Sequence, residues 1–300
     1  MTCGDPVLKI PRMVYKRKEA IETNGLALTC NTMVNSDKSI NCETEHALPL
    51  TVEFSDCNLP NFIQIAADFG SETYGYTVTP NVDHLIRFCD DPSFRDLYRT
   101  AQFVLLDSRF LAYLLRLSAG LRLHTSPGSD VTAQLFEKVI APDDKIVLVG
   151  GTQEQARILS SRFGLRNLRH MNPPMGFIHD PAQVEACVRF IEAESPFRFC
   201  LLAVGCPQQE LLARALQTRG RARGLALCVG ASINFLTGIE RRAPKWMQNA
   251  GFEWFYRLLR DPGRLARRYL IRGPRIFFLL PRLKFELRPV APLTPKIIRS

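Results

Sequence analysis

Five short apolar runs, each closed by glycine or a small polar residue, constrain this chain more than any other feature of its sequence. YGYTVT (74–79), FVLLD (103–107), KIVLVG (145–150), FRFCLLAVG (197–205) and LALCVG (225–230) are continuously apolar rather than alternating. That is the pattern of parallel strands covered on both faces. The segments between them, 82–100 with a break near Pro92, 109–118, 130–140, 153–163, 181–194 and 208–219, carry helical spacing. Ser129 is in place to cap the third of these. Repeated strand-then-helix order selects an α/β fold with helices on both faces of a parallel sheet. The alternation stops near residues 236–245, and beyond it Pro262, Gly273-Pro274 and Pro281 punctuate three short helices. The chain therefore divides into a variable, partly disordered leader (1–60) that ends in a first strand and turn, an α/β core (61–240) and a basic helical appendage (241–300).

Charge is distributed as unevenly as structure. Of 39 Lys and Arg and 29 Asp and Glu, residues 257–300 hold 12 and 2, which leaves residues 1–256 with 27 of each sign. A neutral body with a basic tail points to a localised anionic partner and away from a nonspecific nucleic-acid coat. The 9 cysteines include no C-x-x-C pair and no Cys/His cluster at zinc spacing, which disfavours a disulfide framework or structural zinc and suits a reducing cytoplasm. At 46% hydrophobic residues over 300 positions the chain can build its core without such staples. The opening MTCGDPVLKIPRMVYKRKEA has no apolar segment of signal-peptide type. The longest apolar run of the tail, IFFLLP, is far short of the ~20 residues of a spanning helix. Contact with a membrane would be at its surface.

In an open parallel sheet, ligands collect beyond the carboxyl ends of the strands. Those ends here read TPNVDH (79–84), DSR (107–109), GGTQEQ (150–155), GCPQQE (205–210) and GASINF (230–235). Gly150 and Gly151 suit either backbone contact with a phosphate at a helix N-terminus or a tight turn. Asp107 suits either a desolvated general base or the cap of the helix beginning near Arg109. Thr79 and Asn81 read as site residues or as capping and turn residues, and Gln209 and Glu210 as site residues or as the first turn of a helix after Pro207. His84, His124, His170 and His179 lack metal-ligand spacing, and no D-x-D motif is present, so a metal-dependent nucleotide-sugar site is disfavoured.

Taken in order, VTPNVDHL, FVLLDS, SPGSDV, KIVLVGGTQEQA, PPMGF, LLAVGCPQQE, CVGASINFLTG and RRAPKWMQNAGFEWFYRLLRDPGRLARRYL resemble the WecB/TagA/CpsF family, glycosyltransferase family 26, over about residues 74–272. The resemblance implies a Rossmann-like catalytic core with a C-terminal helical appendage. It implies inverting, metal-independent transfer of a sugar from a UDP-sugar to a polyprenyl-diphosphate-linked saccharide, at the inner face of the cytoplasmic membrane. The sugar would be of N-acetylmannosamine type, its uronic acid or glucose, and no cofactor is implied. The family's catalytic carboxylate falls on Asp107, and its active-site Thr and Asn fall on Thr79 and Asn81. Gln209 keeps its family position, with Gln208 in place of the usual Lys. The appendage arginines fall on Arg257, Arg264 and Arg267, with Arg268 beside them. Substrate contacts are expected from these arginines and from Gly150, Gly151, Gly205, Gln209, Glu210 and Gly230. Two positions depart from the family pattern: Ser108 stands where Gly usually follows the catalytic Asp, and Asn234 replaces a common Asp.

The tail interleaves Arg272, Arg275, Arg282, Lys284 and Arg288 with IFFLLP, a composition suited to an anionic bilayer surface. The partners expected are thus the two sugar substrates and that surface, with a homo-oligomer possible and no nucleic acid. Two rival functions are an inactive relative serving as a scaffold in polysaccharide assembly, and a nucleic-acid-binding protein using Arg among Tyr, Phe and Trp.

Overall fold

The computed structural model describes residues 50–290. The disorder expected for residues 1–49, and the tail from 291 on, lie outside the described residues.

In chain order the elements begin with β1 (Leu50–Ser55), α1 (Leu59–Asp68), β2 (Tyr74–Val78), α2 (Val82–Asp90), α3 (Pro92–Arg99) and β3 (Phe103–Val104). Next come α4 (Arg109–Ala119), α5 (Gly128–Lys138), β4 (Ile146–Val149), α6 (Gln153–Phe163), β5 (Leu168–Met171) and α7 (Pro181–Ala193). β6 (Phe199–Leu202), α8 (Gln208–Arg219), β7 (Gly224–Cys228) and α9 (Ser232–Leu236) complete the core. The remainder holds α10 (Lys245–Asn249), α11 (Glu253–Arg260), α12 (Pro262–Ala266), a π-helical turn over Arg267–Arg272, α13 (Ile276–Leu279) and β8 (Leu283–Arg288).

Six strands form one wholly parallel sheet in the order β3-β2-β7-β6-β4-β5. The continuous apolar runs are buried on both faces, as their composition requires: Ile146, Val147, Leu148 and Val149 of β4 are all 0% exposed. Ile146, Leu148, Phe199, Leu201, Leu225 and Leu227 face one layer, where Phe62, Val131, Leu135 and Leu159 from α1, α5 and α6 meet them. Each such side chain contributes roughly 1.5–3 kcal/mol through burial. Chain order puts β2 and β3 on one side and β4 and β5 on the other, and β6 and β7 then fill the middle.

Three expectations change. β5 is an added strand at the sheet edge; its LRHM run is only partly buried and so lacks a continuous apolar signature. β1 is the first strand expected at the end of the leader, whereas β8 lies inside the span assigned to a helical appendage. The two pair in parallel register from Leu50 opposite Leu283 to Ser55 opposite Arg288. Both alternate apolar with polar residues, Leu283, Phe285 and Leu287 against Lys284, Glu286 and Arg288, and that period of 2 belongs to a strand. Ser55 Oγ accepts from the Val104 N–H at 3.0 Å, fixing the small sheet against β3. Ser129 does not cap α5: Pro127 occupies that position and supplies no side-chain bond.

Candidate functional site

The carboxyl ends of β2, β3, β6 and β7 open into a cavity of about 570 Å³, roofed by residues from Gln248 to Phe277. Thr79, Asn81, Asp107, Gly205, Gln209, Gly230, Arg257 and Arg264 line it as expected. Gly150, Gly151, Glu210 and Arg267 do not.

Asp107 is not the cap of α4. Ser108 takes that role, its Oγ accepting from the Leu111 N–H at 3.2 Å. Asp107 Oδ1 instead accepts the Gly128 N–H at 2.8 Å, so the carboxylate completes the N-terminus of α5, which has no cap of its own. Its other oxygen, Oδ2, faces Asn81 Nδ2 at 3.5 Å. Burial raises the Asp107 pKa; the Gly128 bond, Arg257, Asn81 and Arg268 pull the other way. The result is a carboxyl held in one orientation with a basicity above the ordinary aspartate.

Gly128, the glycine of SPGSDV, also lines the cavity. A Cβ there would stand 3.1 Å from Thr79 Oγ1, 3.5 Å from Ser232 Oγ and 3.8 Å from Asp107 Oδ1, so the close approach of α5 to the floor needs glycine. The missing side chain was legible only as a glycine at a helix start.

Asn81 does two jobs. It caps α2, its Oδ1 accepting from the Asp83 N–H at 3.1 Å, while its own N–H donates to His84 Nδ1 at 3.1 Å. The amide nitrogen is thereby turned toward Asp107. His84 is buried; burial first, and Arg268 next, push its pKa down to about 3, so the ring is neutral. Because Nδ1 accepts, the ring proton sits on Nε2, which lies 3.8 Å from Glu210 Oε1. Glu210, 1% exposed, is therefore support beneath the floor rather than a ligand contact. Burial pushes its pKa up to about 7. Its Oε1 accepts from Gln209 Nε2 at 2.9 Å, and Gln209 Oε1 accepts from the Gly230 N–H at 3.0 Å, tying the start of α8 to the loop after β7.

His84, Cys206 and Glu210 bring ligand-type atoms within 4.8 Å of one another. A ligating histidine offers a bare nitrogen to the metal and donates from the other. Here the bare nitrogen is occupied by the Asn81 N–H and the proton faces the cluster, so the trio serves as hydrogen-bonded scaffolding and does not fit a cation.

Gly150 and Gly151 belong to a turn. Gly150 has φ +95°, and a Cβ would meet the Ala203 carbonyl oxygen at 2.7 Å, so the residue is required by β4–β6 packing. Asn234 also lies outside the cavity lining: it accepts from Gln155 Nε2 at 2.7 Å and donates to Glu240 Oε1 at 2.8 Å. An Asp there would face Glu240 with like charge, which accounts for the amide.

In the roof, Arg268 replaces Arg267. Arg267 is exposed, whereas Arg268 lines the cavity and reaches Asn81 Oδ1 at 3.4 Å. The wide π-helical turn over Arg267–Arg272 favours the fourth residue after Arg264 over the third. Arg268 also lies 3.7 Å from Asp83, which Arg87 and Arg272 approach at 3.3 and 3.4 Å. Burial alone would raise the Asp83 pKa, but Arg268, Arg87 and Arg272 outweigh it and hold the group lowered. Other basic residues of the tail are engaged with the protein: Arg275 forks onto Asp90 at 2.9 and 2.8 Å, Lys284 pairs with Glu286 at 2.7 Å, and Arg288 donates to the Ala101 and Gln102 carbonyls. Ser108, Gly128, Ser232, Glu253, Trp254 and Tyr269 complete the notable lining.

A parallel α/β sheet with an arginine-roofed cavity at its carboxyl edge, beside a carboxylate of raised basicity, has the layout of a site for an anionic small molecule. A family model described as "Glycosyl transferase WecG/TagA/CpsF family" matches residues 48–289, and the chain belongs to that family. Its role is sugar transfer. Among the described residues no helix is long and apolar enough to cross a membrane.

Proposed function

We propose that the protein moves a sugar from a UDP-sugar to a polyprenyl-diphosphate-linked saccharide by an inverting displacement without a metal ion. The observation that carries this reading is Asp107: a carboxylate with raised basicity, fixed by Gly128 and Asn81, facing a cavity whose opposite wall supplies Arg257, Arg264 and Arg268. In the step, Asp107 takes the proton of the acceptor hydroxyl. The freed oxygen attacks the anomeric carbon as the bond from that carbon to the diphosphate oxygen breaks, and UDP departs from the opposite face. Charge developing on the diphosphate is met by the arginines, which present planar forks to phosphate oxygens. Thr79 and Asn81 position the acceptor or the base.

The sugar is of N-acetylmannosamine type, its uronic acid or glucose. Leu270, Ile271 and Phe278 are exposed beside Arg267 and Arg282, a surface that supports docking on an anionic bilayer at the cytoplasmic face. The scaffold alternative loses its main support, since Ser108 caps a helix and Asn234 bridges two side chains.

The test is a screen of UDP-sugars against a short-chain lipid-diphosphate saccharide, with the anomeric configuration of the product read by NMR. Inverted product in the presence of a chelator is the expected result. Retention of configuration, or loss of activity to the chelator with recovery on adding divalent ions, overturns the mechanism.

A further inference from the structure

Three carboxylates line the cavity, and they differ in what already occupies their oxygens. Asp83 lies among Arg87, Arg268 and Arg272 at 3.3–3.7 Å. Asp107 holds the Gly128 N–H and faces Asn81. Glu253, in the first turn of α11, accepts no hydrogen bond from the described residues; its one ion pair, to Arg242 Nη2, is 3.6 Å long. Arg242 is itself held by Asp130, and its Nη2 makes no hydrogen bond.

A carboxylate three-quarters removed from water has strong unmet capacity as an acceptor. Burial raises the Glu253 pKa; Arg242 opposes, and the negative charge of Asp107 adds to the rise. Beside it, the Trp254 indole N–H is buried, also without a hydrogen-bond partner, on a side chain that lines the same cavity. One helical turn further along α11 stands Arg257. Residues four apart share a helix face and commonly pair, yet here the two are not in ion-pair contact: the Arg257 guanidinium lies over the Phe235 ring at 5.8 Å. An acid and a cation are thus presented side by side to the cavity, separated by about 6 Å of helix rise.

We propose that Glu253 is a ligand-binding residue, accepting ring hydroxyls of a glycosyl diphosphate whose phosphates lie against Arg257. Vicinal hydroxyls offer the two donors that a carboxylate takes best, and a sugar attached directly to a diphosphate carries both chemistries at the right separation. The inference rests on the glycosyltransferase reading of the cavity. Both substrates in that reading are glycosyl diphosphates, so the shared chemistry is what Glu253 recognises, and kinetics decide which substrate supplies it.

The experiment compares the full chain with its Glu253→Gln variant. The rate is measured with the active UDP-sugar varied, then with the short-chain lipid-diphosphate saccharide varied, and UDP alone serves as a competitive inhibitor. The expected result is a fall in kcat/KM of at least about tenfold for one glycosyl diphosphate, with the UDP inhibition constant changed by less than about twofold. The substrate whose KM rises is the one Glu253 holds. Unchanged kcat/KM for both substrates overturns the proposal, as does UDP affinity falling in parallel with them. Arg242→Met separates a latch from a ligand contact: it lowers the melting temperature but reproduces neither kinetic change, and if it does reproduce them Glu253 acts only through Arg242. Wild-type protein that turns over no UDP-sugar overturns this proposal and the proposed function together, whereas an active wild type with an unaltered Glu253→Gln variant removes the hydroxyl contact alone.

Discussion

The floor and the roof of the cavity are built on opposite plans. Floor groups are buried or half-buried and linked to one another in series, from Asp107 through Asn81 and His84 to Glu210, Gln209 and Gly230. Roof groups sit on short helices, and Arg264 is the most loosely held of them: it is exposed and, among the described residues, pairs only with Asp261, the cap of its own helix, at 2.6 Å. The difference teaches that orientation is stored in the floor, where an error of an ångström would be costly, while the roof supplies charge that can adjust to a ligand.

The sharpest way to break that comparison is Asp107→Asn. The amide oxygen can still accept from Gly128, so fold and UDP affinity should persist while transfer drops by roughly 10²–10⁴-fold, the span of general-base catalysis. Normal turnover would remove Asp107 from the chemistry. On the roof side, Arg257→Ala should cost about 10–100-fold in kcat/KM with the melting temperature nearly unchanged; a large loss of stability instead would mean that the roof is as structural as the floor. Gly128→Ala should lower turnover by about tenfold by displacing Thr79 by tenths of an ångström, and a crystal structure of the variant would show the displacement.

Acid sharpens the contrast further. His84 has a pKa lowered to about 3 from 6.5, so the unfolded chain binds a proton the folded one refuses, and stability falls as pH drops through that window. Glu210, raised to about 7 from 4.5, acts oppositely: the folded chain holds the extra proton, and stability rises as pH drops from 7 to 4.5. The two offset each other between pH 6.5 and 4.5, and below 4.5 the His84 effect stands alone. Glu210→Gln removes the offset, so its melting temperature should begin to fall near pH 6.5 rather than near 4.5; identical pH profiles would refute the assignment. The smallest effect belongs to the surface: Arg275→Ala, which breaks the exposed pair with Asp90, should cost at most about 1 kcal/mol, a shift of about 2–4 °C in melting temperature.

Five of the six strands of the parallel sheet and the flanking helices were legible because a strand buried on both faces has a compositional signature that helices lack. β5 was not, because its edge is only partly buried, whereas β3 at the opposite edge is buried and tied to β1 through the Val104–Ser55 bond. β1 was legible as the first strand, whereas β8 displayed a period of 2 that the prolines and arginines before it masked as helix punctuation. In the site, Asp107, Asn81 and Gln209 could be found from strand-end position and family resemblance, whereas their hydrogen-bond partners could not. That Asp107 completes α5, some twenty residues away in sequence, is a relation between elements that no local window contains. Gly150 and Gly151 misled for the converse reason: a phosphate turn and a packing turn use the same residue, and only the 2.7 Å approach to the Ala203 carbonyl tells them apart. Arg267 and Arg268 differ by one position, which a helix of ordinary pitch does not separate and a π-helical turn does.

The pairing of β1 with β8 has a mechanical consequence. The first and last strands of the described chain are zipped along six residues in common register, so the span from α10 to α13 is anchored at both footings, at the end of α9 and at β8. It behaves as an arch over the cavity rather than as a free flap, and access for a substrate must come from flexing between fixed abutments.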